Sequence, residues 1–491
     1  MIPQEERVDL EAQVKSNKPK FIYKTEPWKH QKKALSYLYR RDTAALYTDM
    51  GTGKTKIMID LIQSRGFKRV LVVAPNKACE VWEEQIGIHG VDGYFSVFRL
   101  NSLSSVKCID LLNKIPKWGQ GSTNQRIIVF IINYEKVWRK GIDKIFLSKK
   151  LGLDCVICDE SHRIKTPRSK CSMYLARLGK VVNHRYLVTG TPLAENPTDV
   201  FAQYKFLDPT IFGTNLGNFR DEYEVLDPVM TARIGHRILN KEHPYKNLDQ
   251  LHDKMFSCAF HIESSVELPE QRDLTWEFHM PPRTEKLYHQ VFKEKVAELN
   301  GLWLSSDNVL TTVLRLQQIT SGYAAVEDID TKEHKIINVD RARVEALKDL
   351  LEGFPQDEPI VIFARFVKDI KNIHMICNSM GITSSEVSGR EDTLKDWKEG
   401  NTQALVVQYS SGSESIDLTR ARYCIYYSQT QRLALYEQSR KRIHRPGQTR
   451  PVCYYHMIET MEKGSTIDEK MYQALKNKQD IVKFVMERGW E

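Results

Sequence analysis

The sequence predicts an α/β protein of two units, each built on a parallel sheet. Three observations carry this. From residue 44 to about 190, apolar strand candidates alternate with helical stretches: Val70–Ala74, Ile127–Ile132, Asp154–Cys158 and Tyr186–Thr189. Such alternation is the pattern of parallel strands joined by crossover helices. Between about 195 and 272 it gives way to an aromatic, Gly/Pro-punctuated stretch that reads as helical. Alternation then resumes at Ile360–Phe363, Ala404–Gln408, Tyr423–Tyr427 and Val452–His456. At 491 residues the chain is also too long for a single core.

Taken in order, residues 1–24 are polar and carry Lys15, Lys18, Lys20 and Lys24, and read as a solvated N-terminal arm. Pro27-Trp28-Lys29-His30-Gln31 opens a helical pattern through Ala34, Leu35, Leu38 and Tyr39. The first unit is expected over 25–275, with a helical insertion at about 195–270. Trp276–Met280 followed by Pro281-Pro282 reads as the crossing into the second unit, 276–491, with a helical insertion at about 284–350.

No run of about 18 apolar residues is present, and the first residues lack an apolar signal core. Nine scattered cysteines show no disulfide rhythm, and Cys155-x-x-Cys158 reads as a pair of core thiols. An intracellular, reducing compartment (cytoplasm, nucleoid or nucleus) is the expectation. A net charge of +9 suits a polyanionic partner.

The stretch from Ala44 to Thr55 is the most informative. An apolar run enters Asp49-Met50-Gly51-Thr52-Gly53-Lys54-Thr55, and Ile57, Met58, Leu61 and Ile62 then recur at helical spacing. Gly51 and Gly53 let the backbone turn its N–H groups inward, and the helix adds its positive end. Such a nest suits a nucleotide phosphate, with Lys54 reaching the β/γ oxygens and the Thr55 hydroxyl on Mg²⁺. Thr48 stands where the usual first glycine would be.

A phosphate loop needs a second anchor for Mg²⁺, an acid at the tip of a neighbouring strand. Cys155–Cys158 ends in Asp159-Glu160-Ser161-His162. Asp159 fits the metal role, and Glu160 is placed to orient and deprotonate the attacking water. Far downstream, the densely basic segment Gln438–Gln448 carries Arg442 and Arg445, three apart and expected on one helix face. The pair can clamp a γ-phosphate; a basic surface or a DNA-phosphate patch explains the segment equally well.

In order, the chain shows Gln31, Asp-Met-Gly-Thr-Gly-Lys-Thr (49–55), Ala-Pro-Asn (74–76) with Trp82, Asn-Tyr-Glu (133–135) and Asp-Glu-Ser-His (159–162). Thr-Gly-Thr-Pro-Leu (189–193), Phe-Ala-Arg-Phe (363–366), Ser-Gly-Ser-Glu-Ser-Ile-Asp-Leu-Thr (411–419) and Arg-Ile-His-Arg-x-Gly-Gln (442–448) follow. This series resembles that of superfamily-two helicase-like ATPases, and its details resemble the Swi/Snf family, over about residues 25–480. Ser415 stands where that family usually has glycine and Gln431 where many members have tryptophan. His261-Ile262-Glu263 replaces a more basic segment.

The resemblance implies two RecA-like lobes with parallel sheets and helical insertions in each. It implies ATP bound by Gln31, Met50, Gly51, Thr52, Gly53, Lys54 and Thr55, with Gln31 on the adenine edge and Asp417 assisting. Mg²⁺ would be held by Thr55 and Asp159. Glu160, Lys54, Arg442 and Arg445 would be catalytic, and His162, Thr189 and Gln438 would couple nucleotide state to lobe closure. Asn76, Lys77, Asn133, Tyr134, Arg365, Ser410 and Ser411 would meet nucleic-acid phosphates, without sequence preference. The implied function is an ATP-driven translocase on duplex DNA, with a protein partner possible. The alternatives are a strand-separating or branch-migrating helicase and a nucleotide-gated scaffold.

Overall fold

The computed structural model describes residues 21–49, 51–115, 126–149, 151–240, 242–262, 268–294, 296–299, 302–305, 309–327, 334–412 and 416–487. Met50, Glu263, Ser415 and the first twenty residues of the expected arm lie outside them. The chain divides into two units near residue 265.

In the first unit the strands are β1 (Thr43–Thr48), β2 (Arg69–Ala74), β3 (Phe95–Arg99), β4 (Ile127–Asn133), β5 (Cys155–Asp159), β6 (His184–Thr189) and β7 (Ala259–Ile262). They form one sheet in the order β3-β4-β2-β5-β6-β1-β7, parallel throughout. A strand buried on both faces sends alternate side chains to opposite cores. Leu71 and Val73 accordingly join Phe130, Ile132, Val156 and Cys158 on one face. Val70, Val72 and Ala74 join Val129, Ile131, Cys155 and Ile157 on the other.

The interior strands match the sequence expectation to within two residues. The additions, β3 and β7, are edge strands. β3 is half-buried along its length and β7 has only four residues, so neither shows a continuous apolar run. The stretch after 195 is helical, at Val200–Leu207, Pro209–Phe212, Leu216–Tyr223, Pro228–Ile234 and Leu248–Phe256. Phe201, Tyr204, Phe212, Phe219 and Tyr223 meet there in edge-on and tilted ring contacts.

The second unit begins with β8 (Gln271–His279), followed by β9 (Val296–Leu299), β10 (Leu302–Ser305), β11 (Tyr323–Glu327) and β12 (His334–Asn338). Then come β13 (Ile360–Ala364), β14 (Ser384–Val387), β15 (Ala404–Gln408), β16 (Tyr423–Tyr426) and β17 (Val452–Thr460). A six-stranded parallel sheet runs β14-β15-β13-β16-β17-β8. Two parallel sheets flanked by helices are the two RecA-like lobes.

Two expectations need correction. The crossing lies ahead of Trp276, because Gln271–Thr275 already pair with Val452–His456. The stretch 284–350 is not simply helical: β9 to β12 form an antiparallel sheet among the helices Pro282–Glu294, Val309–Thr320 and Ala342–Glu352. The overlooked signal was Asn300-Gly301 between two short apolar runs, a hairpin signature.

Arg343 ties the second unit together from inside. It is 1% exposed, pairs with Asp468, and donates to the carbonyls of Thr320 (2.6 Å) and Tyr427. Removing one member of a buried pair leaves the other charge uncompensated, at a cost of about 3–5 kcal/mol. Arg343→Met should therefore lower the urea midpoint of the second unit strongly. Arg343→Met combined with Asp468→Leu should recover much of the loss.

Candidate active site

The phosphate-loop candidate follows β1, and its glycines do what the sequence asks of them. Gly51 (φ 82°) and Gly53 (φ 79°) occupy the left-handed region, and the helix Lys54–Arg65 starts directly afterwards. Gly53 is doubly constrained: a Cβ there would lie 2.2 Å from Gln31 Nε2. Thr52 Oγ1 donates to the Asp49 carbonyl at 2.7 Å and lies 3.0 Å from Thr48 Oγ1, whose own hydroxyl can donate to it. The threonine in the usual first-glycine position is thus a buried post for the loop. Lys54 Nζ donates to the carbonyls of Thr48 and Asp49, both at 3.0 Å.

Gln31 lies on the helix Lys29–Tyr39. Its Nε2 donates to the Thr52 carbonyl (3.0 Å), which His30 Nε2 also reaches at 2.9 Å. Its Oε1 accepts from the Trp28 N–H at 2.9 Å. Each amide atom keeps a second N–H or lone pair, the donor and acceptor needed at an adenine edge.

The two acids stand at the tip of β5. Asp159 is 8% exposed; its Oδ2 accepts from Trp82 Nε1 at 2.8 Å and its Oδ1 from the Glu160 N–H at 3.0 Å. Burial first, and the neighbouring Glu160 carboxylate second, push the Asp159 pKa up to about 6 against the pull of Trp82 and Lys54. A carboxylate held against desolvation and a like charge favours a cation, so the chemistry of the donor set fits Mg²⁺. Glu160 has φ 49°, a left-handed conformation that costs a non-glycine residue on the order of 1–3 kcal/mol. Its Oε2 accepts from Thr189 Oγ1 at 3.2 Å and lies 3.3 Å from His162 Nδ1, which is 3.1 Å from Thr189 Oγ1.

Glu160, His162 and Thr189 therefore form one cluster, and Gln31, Thr52, Gly53 and Lys54 another. Asn76 and Lys77 are exposed after β2, with Asn101 Nδ2 donating to Asn76 Oδ1 at 2.9 Å. Asn133 Nδ2 donates to Glu135 Oε2 at 2.7 Å. Tyr134 is a correction: it is buried, and its hydroxyl donates to the Asp159 carbonyl at 2.6 Å. A hydroxyl so engaged braces the acid turn and leaves no surface for a phosphate. Trp82, His30 and Gln203 were assigned no role from sequence. Gln203 accepts from Ser161 Oγ (2.8 Å) and donates to the Pro192 carbonyl (2.8 Å), joining the loops after β5 and β6.

In the second unit, Gln438 and Arg442 are buried on the helix Leu433–Ile443. The shared helix face expected for Arg442 and Arg445 is not found, because the helix ends at Ile443. Pro446 disfavours helical geometry at Arg445, and His444 Nε2 reaches the Pro269 carbonyl at 2.6 Å. Arg445 Nη1 instead lies 4.0 Å from Asp417 Oδ2. Asp417 accepts from Thr419 N–H (2.9 Å) and Oγ1 (2.8 Å); although burial opposes them, these bonds and the charge of Arg445 hold its carboxyl below its ordinary pKa. Arg365 turns toward Gln317 and lies 5.2 Å over the Phe366 ring. Ser410 and Ser411 lie in a one-turn helix, Tyr409–Gly412, after β15.

Two RecA-like lobes, a glycine loop with its lysine on one and a paired-arginine segment on the other, define a helicase-like ATPase. The chain belongs to the SNF2-related family: the SNF2-related domain matches residues 30–323 and the helicase conserved C-terminal domain matches 342–447. The DNA repair and recombination protein RAD54B of Homo sapiens is 22% identical over 537 residues, covering 94% of this chain and 55% of its own. The corresponding RDH54 of Saccharomyces cerevisiae is 23% identical over 479 residues, covering 87% and 48%. The CHD3-type chromatin-remodeling factor PICKLE of Arabidopsis thaliana is 24% identical over 488 residues, covering 90% and 33%. The chain thus spans about half, or less, of the length of these relatives. The SWI2/SNF2 ATPase core of Sulfolobus solfataricus in complex with dsDNA aligns at a TM-score of 0.41 and 18% identity, covering 96% of this chain and 95% of that one, too low to carry weight. Among the described residues no helix is long and apolar enough to cross a membrane.

Gly53→Ala tests the loop. Gly66 also has positive φ (64°) but nothing within 4 Å of an added Cβ. Both alanine variants should lose about 1–2 kcal/mol to backbone strain. Gly53→Ala should lose more in thermal melts, and Gln31→Ala in the same chain should return the excess.

Proposed function

We propose that this chain is an ATP-driven motor that translocates on duplex DNA and remodels DNA structures or protein–DNA complexes. The observation that carries the reading is the acid turn, where a buried Asp159 and a strained Glu160 are fixed by Trp82, Tyr134, His162 and Thr189. Support for DNA as the track comes from the relatives, named for DNA repair, recombination and chromatin remodelling.

Lys54 exchanges its two loop carbonyls for the β/γ-phosphate oxygens, and the loop N–H groups from Gly51 to Thr55 receive the β-phosphate. Gln31 takes the adenine edge with its remaining donor and acceptor. Thr55 and Asp159 would hold Mg²⁺, which would supply charge neutralisation at the phosphates. Glu160 orients the attacking water and accepts its proton, while Thr189 and His162 fix that carboxylate. Arg442 and Arg445 supply positive charge to the γ-phosphate, and Asp417 aims Arg445. Gln438, with His162 and Thr189, links nucleotide state to movement. Asn76, Lys77, Asn133, Arg365, Ser410 and Ser411 grip phosphates, so DNA binding weakens steeply with salt. The free cysteines suit a reducing compartment.

The test is steady-state ATP hydrolysis with no nucleic acid, single-stranded DNA, blunt duplex DNA or duplex RNA. Duplex DNA should stimulate turnover, and Glu160→Gln should lower kcat roughly 10²–10⁴-fold. Stimulation only by single strands or RNA would overturn the duplex reading. Arg445→Ala should cost roughly 10³–10⁵ in kcat with ATP still bound, measured by single-turnover hydrolysis beside nucleotide titration.

A further inference from the structure

A groove of about 620 Å³ opens on the first unit between the helix Lys170–Leu178 and the chain from Ala202 to Thr214. None of its lining residues is among those assigned a role above. Gly179 allows it to form: a Cβ there would lie 2.6 Å from the Phe206 carbonyl, so only glycine lets the helix end come this close. The rim carries Lys170, Arg177, Lys180 and Lys205. Lys170 Nζ lies 5.3 Å from the Trp138 ring centre and Arg177 5.8 Å from that of Tyr174, while Lys205 Nζ donates to the Thr214 carbonyl at 3.0 Å.

Among the described residues none of these four cations has a carboxylate within ion-pairing distance. Asp143, which accepts from the Gly141 N–H, and Asp208, which accepts from Thr210, form no ion pair with any of the four. Four like charges around one depression repel, and an anion would relieve them. The apolar part of the lining decides which anion: Trp138, Met173 and two prolines share the groove with these cations, and Met173 is 50% exposed. A phosphodiester backbone has no use for apolar depth, whereas an amphipathic peptide helix lays apolar anchors into a groove and its charges along the rim. Methionine adapts to such anchors.

We infer that this groove docks an acidic amphipathic segment of a partner protein, with Leu or Phe anchors over Met173 and carboxylates on Lys170, Arg177, Lys180 and Lys205. The site is independent of the ATPase reading and gives a partner a handle on the motor outside its working residues.

The test titrates the full chain into a fluorescent peptide of about four helical turns, with Leu or Phe at i, i+3, i+4 and i+7 and Glu elsewhere, following anisotropy at low salt. A polyglutamate of equal length and a single-stranded oligonucleotide run beside it. Saturable peptide binding should weaken at least about ten-fold in Arg177→Glu/Lys180→Glu and again in Met173→Ser. Polyglutamate should bind at least about ten-fold more weakly than the peptide. All three changes are at exposed positions, so thermal melts and basal ATP turnover should match the parent. Absent peptide binding, binding indifferent to the variants, or polyglutamate equal to the peptide would overturn the inference. So would an oligonucleotide that binds in place of the peptide and is lost in the charge-reversed variant.

Discussion

A carboxylate at the end of a buried parallel strand has lost its water and must find other partners, and much of the first lobe is arranged around that need at Asp159. Its two oxygens are met by the Trp82 indole and the following backbone N–H, its carbonyl by Tyr134, and its charge by Lys54. Those groups come from β5, from the helix after β2, from the loop after β4 and from the loop after β1. The order of the sheet brings all of them to one place. The sheet order supplies the rest. β6 lies between β5 and β1, with Thr189 opposite Tyr47 and Val188 opposite Asp159. Thr189 therefore emerges between the acid turn and the phosphate loop, where its hydroxyl can hold Glu160.

The second lobe has no phosphate loop, and what is fixed there is the basic helix Leu433–Ile443. A guanidinium placed on a free helix would sample many rotamers, so the helix itself is pinned. Arg440 pairs with Asp273 of β8, donates to Gln271 at 3.0 Å and stacks 4.0 Å over Tyr454 of β17. Asp273 is also met by buried His456 at 3.0 Å and by Lys476 at 3.3 Å. Gln448 Nε2 closes the far end on the carbonyls of Thr419 (3.1 Å) and Ala421 (2.8 Å). Arg442 is thereby carried on a pinned helix, and Arg445 follows two residues beyond its end.

What the sequence revealed and what it hid follow one physical line. The phosphate loop, the acid pair and the interior strands were legible because each is a local pattern: an apolar run, a glycine turn, a helix start. The contacts of Trp82 and Gln203 were not, because their partners are set by strand order and not by spacing; Trp82 is 77 residues from Asp159 and Gln203 is 42 from Ser161. Edge strands β3 and β7 escaped because half-burial removes the apolar run that marks a strand. Arg442 and Arg445 looked like neighbours on a helix until Pro446 and the His444–Pro269 contact ended it.

In the first lobe Gln31 and Lys54 are tied to the same loop through different atoms of one stretch, Thr48 to Thr52. The Thr52 carbonyl accepts from both His30 and Gln31, while the Thr52 hydroxyl holds the Asp49 carbonyl that Lys54 also bonds. Gln31 and Lys54 therefore hold one loop from two sides, Gln31 through the Thr52 carbonyl and Lys54 through the carbonyls of Thr48 and Asp49. A Cβ at Gly53 would lie 2.2 Å from Gln31 Nε2, so the missing Cβ is what lets the Gln31 amide reach the loop and bond the Thr52 carbonyl.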